Sequence, residues 1–185
     1  PGKVARAEMM RVLRPGGVLL VRQGSEWAKS VKPWPKSIDQ WTHYLHGPDN
    51  NAVANDTVVS APRGIQWAAE PKWQRSHEEL ASMSVAVTAA GRIFYIIDEG
   101  PIDSLRYPAD WRLVARDAFN GVLLWKRKIP VWTDHLRHFR AGPVHLPRRL
   151  AAAGDRVYVT LGLAAPVSQL DAATGKTLQV YKGTE

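Results

Sequence analysis

Histidines, clustered arginines and one histidine flanked by carboxylates are the groups in this 185-residue chain that could do chemistry. His43-x-x-His46 and His135-x-x-His138 have a spacing that can chelate a metal when it lies on a helix. Neither pair forms a His-Glu-x-x-His arrangement, no cysteine is present to complete a site, and Gly47-Pro48 directly after His46 argues for a loop. Surface or packing histidines are the simpler reading, and no metal ligand is assigned. In "RSHEEL", Arg75, His77, Glu78 and Glu79 stand together. A histidine beside carboxylates is the arrangement of a general base; a loop edge of solvated charges explains the same residues with less. Asp49, Asn50, Asn51 and Asp56 offer oxygens to calcium, but their spacing fits no recognised calcium loop. No residue is assigned a catalytic role.

The strongest bias is basic. Formal net charge is +8, and between Lys126 and Arg149 there are seven lysines or arginines against one acid, Asp134. Arg137, His138, Arg140, His145, Arg148 and Arg149, with His135 beside them, are the candidates for a surface that takes an anionic ligand or a protein partner. The competing reading is a basic loop paired with another part of the protein. Nucleic acid is disfavoured, because no aromatic-interleaved RNA-binding signature or finger motif accompanies the charge. Val18-Leu19-Leu20-Val21 is the longest strongly apolar run, far too short to span a membrane. The lack of cysteine suits reducing and oxidising compartments alike.

The elements that must position these groups fall into three stretches. In residues 1–22, Ala5, Met9, Val12 and Leu13 share a helical face. Pro15 stops the helix, Gly16-Gly17 permits a sharp turn, and Val18–Val21 reads as a short buried strand. Residues 23–40, with Pro33-Trp34-Pro35 and no sustained period, read as a linker. From residue 41 to 185 short β-branched and aromatic runs alternate with turn signals about every ten residues, which predicts antiparallel all-β structure. The six tryptophans Trp41, Trp67, Trp73, Trp111, Trp125 and Trp132 are assigned to packing within or between sheets.

The third stretch repeats itself. "GRIFYI" at 91–96 matches "DRVYVT" at 155–160, and "ARDAFNGVLLW" at 115–125 matches "QLDAATGKTLQ" at 169–179. Asp117 thereby corresponds to Asp171 and Gly121 to Gly175. The offsets are 64 and 54 residues, the difference being an insertion around "DEGPIDSLRYPADW". An Asp at the head of the turn can accept from backbone N–H groups, and the Gly supplies the left-handed geometry that closes it. In "RIFYII" both faces are apolar, so the sheet needs cover on both sides. Stacked propeller blades supply such cover; a two-layer sandwich buries one face per strand and predicts no repeat.

"GDRVYV…QLDAATGKTLQVY" resembles the repeat of the pyrroloquinoline-quinone (PQQ)-like β-propellers, whose unit ends in a motif close to Leu-Asp-Ala-x-Thr-Gly-Lys-x-Leu-Trp. Trp125 occupies the closing tryptophan position in the earlier copy and Gln179 in the later. The resemblance spans about residues 84–183. "EMMRVLRPGGVLLV" is similar to the late part of class I S-adenosylmethionine-dependent methyltransferases, over about residues 1–22. Together they imply a mainly β chain: an incomplete propeller of two to three four-stranded blades over 41–185, a linker at 23–40 and a helix-turn-strand remnant at 1–22. The implied partners are the remaining blades of the same chain.

Function, on that basis, is binding or scaffolding. One alternative is a quinoprotein-type dehydrogenase using PQQ and a metal ion; another is a methyltransferase whose propeller recruits substrate. PQQ would belong to the full-length protein and S-adenosylmethionine to an upstream domain, so no cofactor residue is assigned. The propeller points to a periplasmic or extracellular setting and the methyltransferase-like part to the cytoplasm, which leaves the compartment open.

Overall fold

The computed structural model describes residues 4–58, 61–75, 81–104, 106–133 and 143–185. The chain is mainly β, and the described residues form three antiparallel sheets, none of them closed. It divides into two compact units, residues 1–39 with 55–61, and residues 40–54 with 62–185.

In the first unit, helix α1 (Arg6–Val12) ends before Pro15, and Gly16 turns the chain at φ +72°. Strands β1 (Val18–Gln23) and β2 (Glu26–Val31) then form a hairpin through Gly24. Two expectations change here. The stretch assigned to a linker contains β2, because Trp27, Lys29 and Val31 alternate with Ala28 and Ser30 across the β1 register. β1 is also not buried: Leu19 and Val21 are half-buried, while Val18 and Leu20 are exposed together with Trp27 and Val31 of β2. Side chains tie helix to hairpin. Arg6 donates to Ser30 Oγ at 2.6 Å, and Lys32 Nζ donates to the carbonyls of Arg11 and Leu13 at the helix end.

The second unit holds two four-stranded antiparallel meanders. The first is β3 (Met83–Ala89), β4 (Arg92–Asp98), β5 (Trp111–Asp117) and β6 (Leu123–Lys128). The second is β7 (Leu150–Ala153), β8 (Arg156–Thr160), β9 (Val167–Asp171) and β10 (Thr177–Tyr181). Alternation puts Val85, Val87, Phe94, Ile96, Leu113, Ala115 and Trp125 into one core with Leu150, Ala152, Val157, Val159 and Leu170 of the second meander. Tyr95, Ile97 and Val114 form a smaller cluster on the opposite face, so the first sheet is buried on both sides.

The two meanders meet at their first strands, β3 and β7. The segment before Trp41 and after it stitches those strands together. Trp41 accepts from Thr88 N and donates to Thr88 Oγ1, Thr42 O accepts from Ala152 N, and Gln40 Oε1 accepts from Ala90 N. Trp132, almost wholly buried, adds a side-chain bond to Ser84 Oγ at 3.1 Å. At the other extreme β10 is exposed along its whole length.

Candidate functional site

The β5–β6 and β9–β10 turns share one backbone hydrogen-bond pattern, to which the second adds a threonine hydroxyl. In the first, Asp117 Oδ1 accepts from the N–H of Phe119 and Asn120, Gly121 N donates to Asp117 O at 2.9 Å, and Asp117 N donates to Val122 O. In the second, Asp171 Oδ1 accepts from Ala173 N, Thr174 N and Thr174 Oγ1, Gly175 N donates to Asp171 O at 2.8 Å, and Asp171 N donates to Lys176 O. The Thr174 hydroxyl, then its backbone N–H, hold the Asp171 carboxyl below its ordinary value of 3.8, with Ala173 N and Arg156 assisting. Gly121 and Gly175 have φ of +73° and +70°, the region that a side chain disfavours.

A tryptophan lies flat on each turn. Trp125 of β6 donates Nε1–H to Ala172 O at 3.0 Å, and its ring is so close to Gly175 that a Cβ there would stand 2.6 Å from Cδ2. Trp67 donates Nε1–H to Ala118 O at 3.0 Å, and a Cβ on Gly121 would stand 2.5 Å from its Cε3. A guanidinium completes each: Arg127 donates to Gly175 O at 3.0 Å, Arg116 to Gly121 O at 2.9 Å. Trp67 was read from sequence only as packing, because it lies outside any strand and ahead of the matched repeats. Its one signal was "IQWAAEPKW", an aromatic segment leading into the first sheet.

The opposite end of the sheets carries the long loops. Arg75 is buried there and ion-paired with Asp98 at 3.0 Å, both side chains being almost completely shielded from water. It also donates to the carbonyls of Pro108, Ser104 and Tyr107. Asp98 Oδ1 accepts from Gly100 N and Asp110 N. The inserted β4–β5 loop is therefore folded around one cation, and Arg75 is not the solvated charge expected of "RSHEEL". Sequence reasoning missed this pair because its members are 23 residues apart and belong to no local pattern. His77, Glu78 and Glu79 lie outside the described residues.

Of the basic cluster, Arg137, His138 and Arg140, with His135, also lie outside the described residues. His145 and Arg148 are exposed around the 3-10 turn Leu146–Arg149 that leads into β7. Arg149 instead turns inward, donating to Leu163 O at 2.5 Å and Thr160 Oγ1 at 3.4 Å, so its guanidinium is committed to the fold. His43 and His46 face each other across a tight bridge. His43 Nδ1 lies 2.8 Å from Thr42 Oγ1, and the His46 ring meets Trp41 edge-on at 5.2 Å. Among the described residues no group of three or more potential ligands is gathered for a metal. Asp49 and Asp56 fall in different units, and each carboxylate accepts from a backbone N–H, of Asn51 and Asp39 respectively.

Of the tryptophans, Trp111, Trp125 and Trp132 are buried, whereas Trp73 is exposed with Lys72 Nζ 5.5 Å from its ring. No family model matches this sequence, and no curated protein matches it.

Proposed function

We propose that residues 41–185 belong to consecutive blades of a PQQ-like β-propeller acting as a binding or scaffolding module, and that α1 to β1 closes a methyltransferase-like domain lying upstream. One observation carries the propeller: the outermost strand of the first meander lays Trp125 on the Asp171–Gly175 turn of the next, while their innermost strands lie side by side. Successive sheets linked at both their inner and outer strands fan out around an axis, which is how blades stack. The ligand-facing end is the long-loop end, where His145 and Arg148 present positive or titratable groups to water. The turn end is filled by indole rings and backbone bonds.

The test uses the full-length polypeptide on immobilised heparin as a polyanion probe. Arg148→Glu should elute at markedly lower salt than Arg63→Glu, an exposed arginine that is not part of this loop. Equal shifts would reduce the effect to bulk charge and remove the loop as a ligand surface. In parallel, PQQ with calcium should give no dye-linked alcohol oxidation. Turnover that needs both additions would replace the binding module by a dehydrogenase.

A further inference from the structure

We propose that Asn120 is a deamidation site: the folded β5–β6 turn holds it closed, and when that turn opens Asn120 converts to aspartate or isoaspartate. The site is set by the turn's own bonds and does not depend on the propeller reading. The two matched turns differ in the residue before the left-handed glycine. The later turn has Thr174, whose hydroxyl donates back to Asp171 Oδ1. The earlier turn has Asn120, exposed, whose side chain reaches forward: its Oδ1 accepts from Val122 N at 3.0 Å. That bond spans Gly121, so the side-chain carbonyl is folded over the peptide whose nitrogen can attack it. The same N–H of Val122 is placed to stabilise negative charge developing on Oδ1. Glycine supplies the attacking nitrogen and has no Cβ to hinder the approach. The other asparagines, Asn50, Asn51 and Asn55, are followed by Asn51, Ala52 and Asp56.

The reaction consumes only water. Gly121 N gives up its proton to hydroxide and bonds to Asn120 Cγ; the Cγ–Nδ2 bond breaks, and Nδ2 takes a proton and leaves as ammonia. Water then opens the succinimide at one carbonyl to give aspartate, or at the other to give isoaspartate, with the backbone rerouted through Cγ. In the folded turn the nucleophile is engaged elsewhere. Gly121 N–H donates to Asp117 O at 2.9 Å, Asn120 N–H donates to Asp117 Oδ1 at 3.3 Å, and Arg116 holds Gly121 O at 2.9 Å. The ring of Trp67 lies against Gly121. Closing a planar succinimide requires Gly121 N to leave Asp117 O, so the reaction waits for the turn to open. It is also one-way. Either product sets a second carboxylate beside that of Asp117, and isoaspartate lengthens the backbone inside the turn.

Peptide mapping by mass spectrometry tests this on the full-length polypeptide, incubated in mildly alkaline buffer with and without denaturing urea. In urea Asn120 should convert faster than Asn55, giving both aspartate and isoaspartate. Without urea its conversion should be slower by on the order of 10-fold or more, because only the opened turn reacts. Trp67→Ala should recover much of that loss without urea, while Asn55 keeps its wild-type rate. Circular dichroism shows whether this variant is folded; if it is not, the comparison with and without urea decides alone. Equal rates at Asn120 in both buffers overturn the gate. No conversion at Asn120 in urea while Asn55 reacts overturns the site. A folded Trp67→Ala chain with the wild-type rate at Asn120 removes the indole from the gate and overturns that part.

Discussion

Replacing Gly175 by alanine probes how tightly the indole packs on the turn. The new Cβ would lie 2.6, 2.8 and 3.1 Å from Cδ2, Cε3 and Cε2 of Trp125. Comfortable carbon–carbon contact needs about 3.5–4.0 Å, so the ring must retreat by roughly 1 Å. It cannot do so freely, because its Nε1–H is bonded to Ala172 O in the same turn. Two costs combine: about 1–2 kcal/mol for a side chain in left-handed backbone and about 1–3 kcal/mol for overpacking. Gly154→Ala separates them, since Gly154 has φ +53° and nothing within 4 Å of its would-be Cβ. Urea unfolding followed by tryptophan fluorescence should show Gly175→Ala to be more destabilising than Gly154→Ala by about 1–3 kcal/mol. In a Trp125→Ala background the excess should vanish. Equal costs for the two substitutions, or an excess that survives removal of the indole, would refute the contact.

Other outcomes follow from the same geometry. Trp125→Phe keeps most of the ring but leaves Ala172 O without its donor, and should cost about 1–3 kcal/mol in urea unfolding. Arg75→Met strips Asp98 of its buried counter-ion and should cost about 3–5 kcal/mol, with limited proteolysis appearing first in the 99–110 loop. Arg149→Gln should lower stability with little effect on heparin elution, the reverse of Arg148→Glu, as read by thermal melting and a salt gradient. Asp171 has its carboxyl lowered by Thr174 and Ala173, so its contribution is complete above its unfolded value and fades as pH falls through the lower folded one. Acidification below the ordinary carboxylate range should loosen the β9–β10 turn, read by amide exchange at residues 173–175, and Asp171→Asn should abolish that pH step.

The repeat was readable from sequence because its chemistry is local. Asp, then glycine four residues later, then an alternating run, is enough to specify a turn whose bonds close within five residues. What escaped was whatever depends on chain segments meeting from afar. Trp67 plays the part of Trp125 but has no strand around it and no constant spacing to the later copies, so periodicity could not find it. The Arg75–Asp98 pair joins a segment ahead of β3 to the end of β4, and burial of both charges is invisible in a list of charged residues. β2 was hidden for another reason. Its pattern of Trp, Lys and Val on one face is apolar and basic at once, which composition alone reads as linker. In the basic loop, residue type could not separate Arg148, which faces water, from Arg149, which donates to a carbonyl and a hydroxyl inside the fold.

The cation at position 75 also has a bearing on how such sheets could be exchanged. The excursion between β4 and β5 takes its shape from a side chain that enters from before the first strand of the meander, and Gly100 leaves room for that guanidinium where any Cβ would collide with it. A chimaera that transplanted strands 83–128 alone would carry the carboxylate of Asp98 without its mate. Moving the module intact means cutting upstream of Arg75, so the natural boundary of this building block lies in the segment that precedes its strands.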